Sequence, residues 1–337
     1  MLSSNFFFRS MSRRSITKVI LASPRGFCAG VARAVRTVED TLDIFGAPVY
    51  IKHEIVHNKT VVKSLEDRGA ITVDSAEAIP ENAIVVFSAH GSPPEDFEIA
   101  RKKHCTIIDA TCPLVNKVHL EMHRFMKDGY SVVYIGHKGH PEGIGVIGEA
   151  MHAYGKTVPL IETKSDIESL RIDNNEKLAY LTQTTLSIPE TAEIIQALTQ
   201  KYPHIVAPPG KDICYATTNR QKAVSEIAER SDIVLIVGSK NSSNSTRLAE
   251  TARAKKKPAH LIDSADDIDP AWFDGAQTIG ISAGASAPES RVQEVAAYFK
   301  NLGATIEEHV TTVESTRFME PFELKEMKEK SSRKQTP

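Results

Sequence analysis

No run of apolar residues in this chain approaches the roughly 20 needed to cross a bilayer as a helix. Charge of one sign is lacking as well. The 41 Lys and Arg against 43 Asp and Glu leave a formal net charge of −2, so no global basic field favours nucleic acid or an anionic membrane. Neither a basic stripe nor a helix-turn-helix signal is found. Cysteine is scarce: Cys28, Cys105, Cys112 and Cys214 are too few for a disulfide scaffold in 337 residues. Their spacings are not the C-x2-C of zinc ribbons or bacterial ferredoxins. No flavin or nicotinamide fingerprint occurs. What remains is ordinary for a soluble globular protein, 41% hydrophobic and 25% charged. The length suits two average domains or three small ones.

Short apolar runs alternate with helical patterns throughout. Runs at 49–51, 84–87, 132–135, 178–181, 233–237 and 278–281 predict buried strands, and the helices between them predict parallel α/β units. Three of the cysteines mark a repeat. Cys28, Cys112 and Cys214 each precede a helical pattern: Val31, Val35, Val38 and Leu42 after the first, Leu114, Val118 and Met122 after the second, Val224 and Ile227 after the third. Pro113 stands at a natural first helical position. Polar loops then follow at matched distances. His57 lies 29 residues after Cys28, His140 lies 28 after Cys112, and Ser242 lies 28 after Cys214. A second set places His90 62 residues after its cysteine and Thr184 and Ser286 72 after theirs. Ligands of parallel sheets bind at the carboxyl ends of strands. Three such units facing one another would bring all six loops around one cavity.

Three thiols that each open a helix suit a metal centre, because a helix N-terminus favours thiolate. Three sulfurs from three units would leave a four-iron cluster with one iron free of cysteine. A Cys3His zinc site needs the same thiols, and reduced buried cysteines are the plain alternative. The loops supply His57, His90, His140, Ser242, Ser243, Asn244 and Ser286, a set of imidazoles, hydroxyls and an amide that can enclose a diphosphate. Individually, each has a bland role in turns or caps. Glu142, two residues after His140, becomes the best proton donor if it faces the same cavity, and Thr184 and Thr185 could relay its proton.

Nine stretches then resemble one family in its own order. They include Arg25-Gly-Phe-Cys-Ala-Gly30, His53-Glu-Ile-Val-His-Asn58, Ser88-Ala-His-Gly-Ser92, Asp109-Ala-Thr-Cys-Pro113 and Gly139-His-Pro-Glu-Gly143. Thr182-Gln-Thr-Thr-Leu-Ser187, Ile213-Cys-Tyr-Ala-Thr-Thr-Asn-Arg-Gln221, Gly238-Ser-Lys-Asn-Ser-Ser-Asn-Ser245 and Gly284-Ala-Ser-Ala-Pro288 complete the set. Together, over roughly residues 19–300, these resemble the 4-hydroxy-3-methylbut-2-enyl diphosphate reductase (LytB/IspH) family. The resemblance implies an α/β trefoil of three pseudo-repeated modules, with small, mainly parallel sheets around a central iron–sulfur cluster. It implies one 4Fe–4S cluster held by Cys28, Cys112 and Cys214, with a unique iron not ligated by cysteine. It implies reductive removal of the substrate hydroxyl to give isopentenyl and dimethylallyl diphosphates, the last step of the non-mevalonate isoprenoid pathway. The implied diphosphate ligands are His57, His90, Ser242, Asn244 and Ser286, with Ser243 and His140 lining the pocket. Glu142 is the implied proton source, with Thr184 beside the substrate hydroxyl. Electrons would come from a ferredoxin or flavodoxin, with no nucleic-acid or membrane partner. A zinc-dependent or non-redox diphosphate hydrolase and a cluster-bearing sensor are the rival readings.

The expected organisation is an N-terminal extension (1–18), modules at 19–111, 112–212 and 213–300, and a C-terminal segment with a polar tail (301–337). The extension carries four cations, several serines and no acid, as a transit peptide can. It is short, and Met11 is an alternative start, so a ragged bacterial N-terminus and a cytoplasmic location are expected over an organellar one. Residues from about Leu324 onward read as a frayed helix and a disordered tail.

Overall fold

The computed structural model describes residues 16–172 and 176–334. The expectations for residues 1–15 and for the last three residues lie outside the described residues.

The chain enters on β1 (Lys18–Ser23) and α1 (Ala29–Phe45), then passes through β2 (Val49–Lys52), α2 (Lys59–Glu66), β3 (Ala70–Val73), β4 (Ile84–Phe87), α3 (Pro94–Lys102) and β5 (Thr106–Asp109). A second run holds α4 (Pro113–Lys127), β6 (Ser131–Ile135), α5 (Pro141–Tyr154), β7 (Leu160–Ile161), α6 (Lys164–Ser169), β8 (Leu178–Thr182) and α7 (Ile188–Lys201). The third holds α8 (Tyr215–Glu229), β9 (Ile233–Val237), α9 (Ser243–Ala254), β10 (Ala259–Ile262), β11 (Thr278–Ala283), α10 (Glu289–Asn301), β12 (Thr305–Val310) and α11 (Phe322–Lys334).

Among the described residues these strands form three sheets, ordered β3-β2-β4-β5, β7-β6-β8 and β10-β9-β11-β1-β12. Every pairing between them is parallel. This is the α/β trefoil arrangement. A parallel sheet is covered by helices on both faces, so its strands read as continuous apolar runs. β9 shows this directly, with all five residues of Ile-Val-Leu-Ile-Val buried. β1 precedes Cys28 in sequence but is hydrogen-bonded between β11 and β12, which ties the entry of the chain to its third sheet.

The helices form where apolar residues recur at helical spacing. α1 buries Ala34, Val35, Val38 and Leu42 on one stripe and stops at Gly46, whose φ of 76° suits glycine. α4 starts at Pro113 and buries Val118, Met122 and Phe125. The C-terminal segment is more ordered than its polar composition suggests. Leu324 of α11 is buried in the same core as Val38, Ile51 and Val86, with Met327 packed beside it. Two apolar side chains at i and i+3 suffice to dock an otherwise charged helix.

The core of the third sheet contains Phe299, fully buried and edge-on to Phe273 at 5.2 Å between ring centroids. Truncating it removes a large apolar surface and leaves a cavity that rigid strands cannot close. Phe299→Ala is expected to lower unfolding stability by about 3–5 kcal/mol, measured by chemical denaturation. A loss below about 1 kcal/mol would show that this core repacks freely.

Candidate functional site

Six helices begin around one cavity, and the residues that begin them are the ones singled out in the sequence. Cys28, Cys112 and Cys214 are the N-caps of α1, α4 and α8. Asn58, which follows His57, caps α2, His140 caps α5 and Ser242 caps α9. The matched loop spacings of the sequence are therefore matched strand-to-helix turns. His57, His90, His140, Glu142, Thr184, Ser242, Ser243, Asn244, Ser286 and the three cysteines all line a cavity of about 100 Å³. Cys105 lies apart, its thiol directed at the Pro80 carbonyl at 3.4 Å.

The imidazoles form one wall. His57 and His90 stack with ring centroids 4.0 Å apart, and His140 stands edge-on to both at 5.6 and 6.0 Å. His57 is oriented by Glu54, whose carboxylate lies 3.1 Å from Nδ1 and also accepts 2.8 Å from the Asn241 amide. Ser88 Oγ lies 3.3 Å from Nδ1 of His90. Burial, followed by the nearby His57, pushes His140 down to about 3 and holds His90 well below the usual histidine range. These two imidazoles are neutral at neutral pH.

The hydroxyl and amide wall is braced by its own hydrogen bonds. Ser286 Oγ donates to the His57 carbonyl at 2.9 Å, joining the β11 loop to the β2 loop. Asn244 Oδ1 accepts from the Ala285 amide at 2.8 Å, and its Nδ2 donates to Thr217 Oγ1 at 3.3 Å. Ser243 Oγ donates to the Thr185 carbonyl at 3.2 Å. Among the described residues, no Lys or Arg lines the cavity.

Glu142 is the buried acid, 2% exposed in the first turn of α5. Its Oε1 accepts from the Thr184 amide at 2.8 Å and from the Tyr134 hydroxyl at 3.2 Å. Its Oε2 lies 2.7 Å from Thr184 Oγ1. Burial raises its pKa above the ordinary carboxylate value, against the opposing pull of these bonds. A hydroxyl can donate to a carboxylate or accept from a carboxylic acid, so the Thr184 bond survives a change in protonation.

The expected cofactor needs correction. Among the described residues, the group of three His, Cys, Asp or Glu side chains whose ligand atoms lie within 4.8 Å of one another is His53, His57 and His90. The thiols of Cys28, Cys112 and Cys214 do not form such a group, and the expectation of a 4Fe–4S cluster on them is overturned by that geometry. Burial first and the neighbouring Cys28 second push Cys112 up to about 12 and Cys214 to about 11, so both are neutral thiols here. Gly30 keeps the first two cysteines close to one another. A Cβ at that position would lie 2.6 Å from the Cys112 sulfur and 3.9 Å from that of Cys28.

Several participants escaped the sequence reading. His53 and Glu54 lay inside a quoted motif without a role. Tyr134 was hidden in the apolar run of β6. Thr217 meets the Cys214 sulfur at 3.2 Å from the first turn of α8, where a small polar residue reads only as helix. His119 and His123 of α4 share the two oxygens of Glu149 on α5, bracing these helices behind the cavity, and only the i, i+4 histidine pair hinted at it.

Known proteins with the same pattern are readily found. The family model described as LytB protein matches residues 19–300. The chain is 51% identical over 309 residues to the 4-hydroxy-3-methylbut-2-enyl diphosphate reductase of Mannheimia succiniciproducens, covering 91% of this chain and 98% of the relative. It is 49% identical to the enzyme of the same name from Actinobacillus succinogenes, with the same coverage. The solved E-1-hydroxy-2-methyl-but-2-enyl-4-diphosphate reductase of Plasmodium falciparum superposes with a TM-score of 0.90 at 38% identity, over 94% of this chain and 99% of that one. With a family match across most of its length and relatives at this identity, the chain belongs to the LytB protein family.

Proposed function

We propose that this protein reduces 4-hydroxy-3-methylbut-2-enyl diphosphate to isopentenyl and dimethylallyl diphosphates. The observation that carries the reading is Glu142, a buried carboxyl with a raised pKa, facing a cavity of imidazoles, hydroxyls and helix N-termini. In this reading the diphosphate is held by His57, His90, Ser242, Asn244 and Ser286, with Ser243 and His140 lining the remainder. His57 and His90, two of the three imidazoles that stand close enough for a single metal ion, thus serve as donors to phosphate oxygens. Helix N-termini add positive potential, so the anion is bound without Lys or Arg.

The reaction consumes two electrons and two protons and releases water. Hydroxide leaves poorly, so the allylic C–O bond breaks as a proton reaches its oxygen. Glu142 supplies that proton, with the Thr184 hydroxyl placed to orient the substrate oxygen or pass the proton on. Pair delivery of electrons leaves allylic carbanion character, and protonation at either end gives one or the other product. The electrons come from a ferredoxin or flavodoxin. The three modules, 19–111, 112–212 and 213–300, each contribute a wall. The protein acts in the cytoplasm of a bacterium. Among the described residues, no helix is long and apolar enough to cross a membrane.

Two tests follow from the roles assigned. Glu142→Gln keeps size and most hydrogen bonds but removes the proton, and is expected to lower kcat by about a hundredfold or more with KM changed only a few-fold. The acid works protonated and burial raises its pKa, so turnover of the parent protein should fall as pH rises through that raised value. This alkaline limb should vanish in the residual activity of the variant. Retention of most activity in steady-state assays would show that another group is the acid.

His90→Ala and Asn244→Ala each remove a donor to the diphosphate. Charge-assisted hydrogen bonds are worth roughly 1.5–3 kcal/mol, so each variant should bind substrate about tenfold to a hundredfold more weakly by calorimetry. Unchanged affinity in both would remove the diphosphate from this wall.

A further inference from the structure

The turn that carries His90 is seated on α4 and α5. Gly91 has a φ of 80°, a conformation that favours glycine. A Cβ there would lie 3.2 Å from Nε2 of His119 on α4, with methyl groups of Val115 and Thr111 at 3.4 and 3.5 Å. Gly145 of α5 faces the same ring. Its Cβ would lie 3.2 Å from His119 Cε1 and 3.5 Å from the Ser92 amide nitrogen. Of the groups nearest these two glycines, only the His119 ring is shared. Gly148, on the same face of α5 as Gly145, lets Pro93 approach in the same way, 2.7 Å from where a Cβ would stand. The stretch 91–93 therefore lies against a glycine face of α5, and the edge of one imidazole packs against both.

That imidazole is firmly anchored. The His119 side chain is 12% exposed. Its Nδ1 meets one oxygen of Glu149, and Nε2 of His123 meets the other at 2.7 Å. Burial would raise Glu149, but the bonds from the two histidines outweigh it and bring its pKa down to about 2. The anchor is thus a carboxylate, which only accepts, so His119 Nδ1 donates to it. His119 Nε2 is left buried, with no hydrogen-bond partner among the described residues. An unpaired buried nitrogen costs stability, so the bond to Glu149 does not by itself account for a histidine at this position. What the ring supplies is a stiff edge, fixed to α5 through Glu149 and set against the backbone of the His90 turn.

We propose that His119 is a positioning residue for the diphosphate site, acting through His90. This rests on the reading in which His90 donates to the diphosphate. His90 stands on the turn after β4, whereas His140 caps α5 after β6, so the imidazole wall is assembled from two sheets. The His90 and His140 rings face one another across that boundary at 6.0 Å. Before His90 the turn is tied by its backbone: Ala89 N donates to the Ile55 carbonyl at 3.2 Å and Cys112 N to the Ala89 carbonyl at 3.0 Å. After His90 it is the packing of Gly91 and Ser92 on His119 and Gly145 that sets the turn against α5. Hydrogen bonds weaken steeply once the donor is displaced, so the wedge at Gly91 governs whether His90 and His140 reach one ligand together. Glu142 is oriented separately, by Thr184 and Tyr134.

The test is a double-mutant cycle read by calorimetry with 4-hydroxy-3-methylbut-2-enyl diphosphate. His119→Asn keeps a donor for Glu149 but lacks the ring edge that faces Gly91 and Gly145. It is expected to bind the substrate about tenfold more weakly. In steady-state assays KM should rise while kcat stays within about threefold of the parent. On a His90→Ala background the same substitution should cost less than about twofold, because the contact it positions is gone. On a Ser286→Ala background, in the hydroxyl wall, it should keep its full effect. Gly145→Ala leaves the His119–Glu149 anchor in place and crowds the ring edge from α5. Its loss of affinity should vanish on the His90→Ala background in the same way, which keeps the proposal falsifiable if His119→Asn does not fold. An equal loss on both backgrounds overturns the proposal, since His119 would then act on the fold as a whole. Unchanged affinity in both His119→Asn and Gly145→Ala overturns it too, as does a fall in kcat with KM unchanged. If the parent does not bind the substrate, or His90→Ala binds it as the parent does, the diphosphate reading of this wall fails and the positioning role with it.

Discussion

A parallel strand ends in a turn from which a helix sets out, so the carboxyl edge of a parallel sheet is also a row of helix N-termini. Here that edge of each sheet faces a common centre, and six helices capped by cysteine, asparagine, histidine or serine start there. Each brings unpaired N–H groups and the positive end of its dipole. The rest of the site depends on this convergence. It permits the proposed anion site with no Lys or Arg among the described residues of the cavity wall, while burial holds His90 and His140 neutral there.

Neutrality matters for the acid as well. Glu142 is only two residues from the His140 cap, in a first turn where the dipole favours a carboxylate. Burial opposes that preference and is the larger effect, so the group keeps its proton to higher pH than an exposed glutamate. Thr184 and Tyr134 fix its orientation from β8 and β6. The proposed proton delivery is thereby confined to the second unit, and most of the proposed diphosphate wall to the first and third.

Much of this was legible in the sequence because buried parallel strands leave strong signals. The runs at 49–51, 84–87, 132–135, 178–181, 233–237 and 278–281 correspond to β2, β4, β6, β8, β9 and β11. β12, Thr-Ile-Glu-Glu-His-Val, lies at a sheet edge and is half exposed, so its composition gives no apolar run. The docking of α11 rested on Leu324 and Met327 in a charged background. Spacing placed His57, His90, His140, Thr184, Ser242 and Ser286 in loops that line the cavity, whereas Thr217, inside the first turn of α8, had no such signal. Spacing carries no distance between side chains from different units, which is why it could not separate three converging thiols from the tighter trio of His53, His57 and His90. Tyr134 and the His119–Glu149 brace depend on contacts between elements and had no linear pattern to reveal them.

The most direct measurement is the fate of the substrate in heavy water under anaerobic conditions with a chemical reductant, followed by mass spectrometry and phosphorus NMR. Reductive dehydroxylation through an allylic carbanion predicts two isoprenoid diphosphates, each carrying one solvent deuteron on carbon, with both phosphates retained. Release of inorganic phosphate or diphosphate, with the substrate hydroxyl intact and no deuterium on carbon, would contradict it and mark the site as a hydrolase.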